Sequence, residues 1–294
     1  TDGALKDFKA SEVTDGTLAA WVNTSFANAL PLDTASGAAA AYSLRNLSSS
    51  YTGSVVEVRR SSDGTLRSFT ATEVTDGTLT TWVLGDAASL VGKAQYFNGT
   101  NAQVTVPDSA DFTISTSIDV SADVLLTSNA AGGIVNKGIG NAGNREWSLA
   151  INASNQIEFI VFDESLATNV KASTSDFPIN ELFTARGYYD GSDTYIYING
   201  VQKATTAGVI AIENLSANIQ IGNTLAASRN LNGIVSSVSI SVDGAEVAAY
   251  TGLGATPWND TIGSNNGTPS NLVTFTGQGY NGTVSKWYDQ SGND

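Results

Sequence analysis

Carboxylates and aromatics are the side chains best placed to do chemistry here, because the chain contains no histidine and no cysteine. That excludes a Ser-His-Asp triad, histidine metal sites, thiolate catalysis and disulfides together. Hydrolysis would need two placed carboxylates. Glu158 and Asp163 in IEFIVFD are five positions apart, which puts them on opposite faces of a regular strand. Asp289 in WYDQSGN is the most enzyme-like single acid, yet Asp before Gln-Ser-Gly-Asn reads better as a turn residue capping its own backbone. The expectation is a protein without catalytic residues.

Binding chemistry is better represented. Trp147, Tyr188 and Tyr189, with Arg186 beside the tyrosines, are the candidate ligand-binding residues, since aromatic faces pack on the apolar C–H faces of sugars. Tyr195 and Tyr197 could extend such a platform; the bland alternative is that alternating aromatics cover a sheet. Asp108, Asp111 and Asp190 sit in loops that could converge on a structural Ca²⁺, which takes oxygen ligands, although no contiguous calcium motif exists. Arg59-Arg60 follows a strand and reads as a solvated edge making local ion pairs rather than as a grip on an acidic partner.

Composition bounds the partners. Across 294 residues the net charge is −14, so nucleic acid is a poor partner. With 41% hydrophobic residues the chain can bury real cores, about two domains' worth at this length. No apolar run approaches the roughly 20 residues of a membrane-spanning helix. Low charge with abundant Ser, Thr, Asn and Gly fits a β-rich extracellular or virion-surface protein.

The elements that must position these residues fall into two textures. Asp2–Val22 (DGALKDFKASEVTDGTLAAWV) recurs at Asp63–Val83 (DGTLRSFTATEVTDGTLTTWV), a constant offset of 61 residues with EVTDGTL identical in both copies. Such a repeat marks a duplicated module. It predicts equivalent, largely buried positions for Trp21 and Trp82. Each copy carries a capped short helix (Thr75–Val83 in the second), and a further helix is expected over Ala38–Leu47. Val55–Arg59 and Leu66–Thr70 read as a hairpin around Asp63-Gly64. The first copy starts at the first residues and WYDQSGND stops short, so a piece of a longer modular protein is expected.

From about Ala94 short β-rich runs recur between Gly, Asn, Asp and Ser turns, the rhythm of an all-β sandwich. Expected strands are Gln103–Val106, Ile118–Leu126, Trp147–Ile151, Gln156–Phe162, Phe183–Tyr189, Thr194–Ile198, Asn218–Ile221 and Ile234–Val242. In TYIYI, the isoleucines should face the core and the tyrosines the other side. Residues 252–282 read as loops and short strands, and Thr283–Tyr288 as a last strand.

Two family resemblances rest on these residues. YFNGTNAQVTVP (96–107), DFTI (111–114), FTARGYYDG (183–191), TYIYING (194–200), IGN (221–223) and LNGI (231–234) resemble the laminin-G-like, concanavalin-A-like jelly-roll family. AYSL (41–44), SYTG (50–53), VRRSSDG (58–64) and WYDQSGN (287–293) resemble the N-terminal sandwich segment of fungal-type α-L-arabinofuranosidase B enzymes, related segments of which occur in bacteriophage and bacterial surface proteins. The later part of that enzyme, with its catalytic carboxylates, has no counterpart.

Together they imply a mainly β fold: a concanavalin-A-like jelly-roll sandwich (93–251) inserted in a smaller β-rich flanking domain with short helices (1–92, resumed at 252–294). They imply a non-enzymatic virion or cell-surface structural protein, such as a phage fibre or capsid appendage. Its jelly roll would present loops to glycans or a host surface, and its partners would be copies of itself or other virion and surface proteins. A purely structural fibre spacer and an arabinose-directed glycoside hydrolase are the rival readings.

Overall fold

The computed structural model describes residues 30–34, 38–138, 144–224, 229–254 and 258–292. The first repeat copy, with Trp21, lies outside them. The chain divides into a flanking unit, residues 1–84 and 280–294, and a central unit, 85–279. In chain order the central unit is therefore an insertion in the flanking one. It is longer than expected at both ends: residues 252–279, read above as part of the flanking domain, belong to it.

In the flanking unit a one-turn helix α1 (Pro31–Thr34) precedes strands β1 (Ser54–Arg60) and β2 (Leu66–Thr70). Arg60 pairs with Asp63 at 2.5 Å across the hairpin turn, the local ion pair expected, and also donates to the Trp82 carbonyl at 2.9 Å; Arg59 donates to the Gly64 carbonyl. Helices α2 (Ala71–Thr75) and α3 (Thr78–Leu84) follow. The single helix expected over 75–83 is thus interrupted and starts elsewhere. Thr70 and Glu73 form a reciprocal capping box that starts α2, and Gly77 at φ +90° breaks it from α3. Trp82 is half-buried rather than fully buried, edge-on to Phe69 at 5.2 Å, with the Arg60 guanidinium 4.9 Å over its ring.

Residues 38–47 form no helix, contrary to expectation. Their backbone groups are taken instead by the C-terminal turn: Gln290 Nε2 donates to the Ser43 and Arg45 carbonyls, and Gln290 Oε1 accepts from Leu47 N–H. Asp289 accepts from Ala41 N–H at 2.7 Å and from its own turn at Ser291 N–H. Asp289 is a scaffold residue. These bonds substitute for the i→i−4 ladder that a helix would supply.

The central unit contributes β3 (Gln95–Asn98), β4 (Gln103–Val106), β5 (Ile118–Leu126), β6 (Gly132–Gly138) and β7 (Arg145–Ile151). Next come β8 (Ile157–Asp163), β9 (Thr168–Thr174), β10 (Leu182–Tyr189), β11 (Asp193–Ile198) and β12 (Val201–Ala207). β13 (Ile219–Ile221), β14 (Asn232–Val242), β15 (Ala245–Thr251), β16 (Thr268–Ser270) and β17 (Val273–Thr274) complete it. Back in the flanking unit, β18 (Gly282–Trp287) pairs antiparallel with β1, giving the sheet order β18-β1-β2.

The central strands form two antiparallel sheets. One runs β12-β11-β10-β5-β14-β3-β17, with β15 also on β14; the other runs β16-β4-β13-β6-β7-β8-β9. Alternation sends Ile196 and Ile198 of β11 inward, as their spacing predicts, opposite Ile157, Phe159 and Val161 of β8 in the shared core. Asn199 and Gly200, both at positive φ, make the tight β11–β12 turn that Asn-Gly foretells.

Close sheet contact is visible at Gly187 in β10, where a Cβ would lie 2.2 Å from the Phe159 ring. Gly187→Ala should therefore cost about 1–3 kcal/mol through overpacking. Shrinking the opposing ring with Phe159→Leu should recover part of that loss in urea titrations, since the clash is between those two groups. Additive costs in the double variant would refute direct contact.

Candidate functional site

A cleft of about 510 Å³ lies on the outer face of the β16–β9 sheet. Its floor follows from register. Asn136 of β6, Ser148 of β7, Ile160 of β8 and Lys171 of β9 are cross-strand neighbours in one row, and period-2 alternation turns all four away from the core. Phe162 and Ala150 add apolar floor. The Asn136 side chain is buried; it accepts from Ser148 Oγ and donates to the Asn223 carbonyl at 2.6 Å, so it is fixed in place.

Cations rim this floor. Arg145 pairs with Glu164 at 2.5 Å and lies 4.4 Å over the Phe162 ring. Lys171 is 3.3 Å from Glu158, which also accepts from Asn152. Arg229 reaches the cleft from beyond β13 and makes no ion pair among the described residues.

The structure separates the residues expected to bind ligand. Trp147 and Tyr189 are each only 1% exposed and belong to the core. The reason is parity: Trp147 shares its face with Leu149 and Ile151, and Tyr189 must point opposite to Tyr188. Tyr189 spends its hydroxyl on Ile210, accepting from its N–H and donating to its carbonyl. Tyr188 and Arg186 do come together, on the outer face of the other sheet. There Tyr195 stacks between Tyr188 and Tyr197, with centroids at 5.7 and 6.2 Å. Arg186 grips Asp119 with two donors and lies 5.2 and 4.9 Å over Tyr188 and Tyr197. Two of its nitrogens are thus engaged by Asp119 and the tyrosine rings pack on one another, which covers much of this face.

The three aspartates proposed for calcium do not assemble. Asp108 pairs with Lys137 at 3.2 Å, and Asp111 accepts from Asn265 Nδ2. Asp190 caps the β10–β11 turn, and its carboxyl is held down to about 2, first by the Asp193 N–H and then by Ser192 and Tyr195. No group of three candidate metal-binding side chains exists among the described residues, so these aspartates do not fit a shared Ca²⁺. Glu158 and Asp163 are parted as their spacing requires. Glu158 faces the cleft, and Asp163 is buried, accepting from Ser165 Oγ and Leu166 N–H.

Residues 97–241 match the family model of the concanavalin A-like lectin/glucanases superfamily. The central unit is a concanavalin A-like jelly roll. Solved structures similar to this jelly roll include mouse laminin alpha1 chain domains LG4-5, at 12% identity and TM-score 0.39, covering 51% of this chain and 41% of that one. A heptameric SAP-like pentraxin from Limulus polyphemus matches at 11% identity and TM-score 0.37, covering 50% and 75%. The Ruminococcus gnavus IT-sialidase CBM40 bound to α2,3-sialyllactose matches at 12% and TM-score 0.41, covering 50% and 89%. The chain spans less than half of the mouse laminin structure it matches. No curated protein matches it.

Of the cleft residues, Glu158 and Trp147 were singled out in the sequence, but the cleft cations were not. Arg145, Lys171 and Arg229 are scattered over 85 positions and meet only through the sheet. A signal did exist: they are cations in a chain with twice as many acids, 28 against 14 Lys and Arg.

Proposed function

We propose that this chain is a non-enzymatic component of a virion or cell surface whose jelly roll binds glycans in the β16–β9 cleft. The observation that carries the reading is the cleft itself, whose polar and apolar groups converge on a preformed floor of saccharide size. A binding role is favoured over hydrolysis by the state of Glu158, the one carboxylate among the described cleft residues, which is engaged by Lys171 and Asn152 and has no second acid among them as its partner. The virion or surface setting rests on the resemblance of the flanks to phage and bacterial surface proteins and on the duplicated repeat. No helix among the described residues is long and apolar enough to cross a membrane.

The test is a glycan array probed with the whole chain, followed by Ile160→Trp. The indole should fill the cleft floor and abolish binding while the melting temperature holds. Binding that survives this change would move the site out of the cleft. An array without hits would leave the spacer role.

A further inference from the structure

Resting on that reading, we infer that the saccharide is anionic and that Arg229 is the residue that reads its acid group. The first argument is an asymmetry of exposure. In the Arg145–Glu164 pair the side chains are 37% and 7% exposed, and in the Lys171–Glu158 pair 55% and 14%. In both, the carboxylate is recessed and the cation projects. The cleft therefore shows its visitor positive groups, although the chain as a whole carries −14 and repels anions.

The second argument is what the cleft lacks. Its Phe162 ring is 7% exposed and already covered by the Arg145 guanidinium, and Trp147 is in the core. No bare aromatic face remains among its described lining to stack on a neutral pyranose. Recognition falls to polar and charged groups.

Arg229 is the cation left for the task. It is exposed, without a carboxylate partner among the described residues, and its backbone is pinned. Its carbonyl accepts from Thr224 N–H at 3.0 Å and from Gly133 N–H at 3.2 Å. Gly133 is what lets β6 come so close, since a Cβ there would lie 2.3 Å from the Asn223 carbonyl. A guanidinium on an anchored backbone offers a planar pair of donors matched to a carboxylate or a sulfate.

The whole chain should be titrated with three probes: an oligogalacturonate, a sulfated oligosaccharide and a neutral oligosaccharide of similar length. At least one anionic probe should bind better than the neutral one, and the stronger of the two identifies the anion. Arg229→Ala should weaken that binding about tenfold to a hundredfold, the loss expected for one charge-assisted contact. Arg229→Lys should restore part of it, and raising salt from about 0.05 to 0.5 M should weaken the parent more than Arg229→Ala. An unchanged melting temperature would separate recognition from folding. Preference for the neutral probe, or an anion affinity indifferent to Arg229→Ala, overturns the inference while leaving glycan binding intact. An array without hits overturns the reading beneath it.

Discussion

Trp258→Ala should destabilise the jelly roll by about 3–5 kcal/mol, the range for removing a fully buried large aromatic. Trp258 has no exposed surface; its ring meets Phe97 edge-on at 5.9 Å, and its Nε1 donates to Gln95 Oε1 at 2.6 Å. The surrounding backbone is built to admit the indole. At Gly252 a Cβ would lie 2.8 Å from the ring, and Gly267 N–H bonds the Trp258 carbonyl. Trp258 itself sits at φ +73°, a left-handed conformation that a non-glycine residue holds only when its neighbours fix it. The same contacts decide where the domain ends. A segment of residues 94–250, complete by strand count, would lack Trp258, Phe275 and strands β16 and β17. It would leave Phe97 and β3 uncovered. Residues 85–279 should unfold in one cooperative step by circular dichroism and calorimetry, whereas 94–250 should aggregate or melt without a sharp transition. Equal stability of the two segments would show that the Trp258 region is an appendage.

That boundary illustrates what the sequence could disclose. Strands with clean alternation, such as β5, β10 and β11, were legible almost to the residue, because one buried and one open face leave a period of two. β6 was not: in GGIVNKG every position is buried, so there is no alternation to see. β12 failed for the opposite reason, since in VQKATTA nearly every residue is exposed at a sheet edge. Residues 252–279 were read as loops and short strands of the flanking domain because Gly, Asn, Thr and Ser are abundant there, yet the two short edge strands and Trp258 tie them to the jelly-roll core. Residues 38–47 have helical spacing but lose their backbone groups to Gln290, a partner more than 240 positions away. At the site, choosing residues by chemical type alone selected Trp147 and Tyr189. Strand parity already argued against both, because Tyr188 and Tyr189 cannot share a face and Trp147 shares its own with Leu149 and Ile151. The cleft cations needed the assembled register of β6 to β9 before they could be seen as neighbours.

Replacing Lys137 should rank with the loss of Trp258 and should depend on pH in a way that packing losses do not. Lys137 and Glu146 are 2% and 0% exposed and lie 2.6 Å apart. Lys137 also donates to the Leu215 carbonyl and pairs with Asp108, while Glu146 Oε2 accepts from Leu215 N–H. The other oxygen of Glu146 has no hydrogen-bond partner among the described residues. Lys137→Met would leave that carboxylate buried without its cation, at a cost of about 3–5 kcal/mol near neutral pH. Glu146→Gln in the same chain should return part of the loss, because a neutral amide can occupy the site without a counter-charge. Burial already pushes the Glu146 carboxyl above its ordinary 4.5, with Lys137 opposing that push. The folded state therefore holds a proton that the unfolded state releases, and stability falls as pH rises from 4.5 through the raised value. Lys137→Met removes the opposing charge, so it should be worse at pH 8 than at pH 5 by a wider margin than the parent. Asp190 and Asp243 act in the other direction. Backbone N–H groups depress both, so their contributions hold above the ordinary carboxylate range and are lost as pH falls through the lowered values, about 2 for Asp190. Chemical denaturation at a series of pH values should show Glu146→Gln flattening the neutral side of the profile and leaving the acid side unchanged. A Lys137→Met variant equally destabilised at pH 5 and pH 8 would mean that the lysine contributes its aliphatic stem and not its charge.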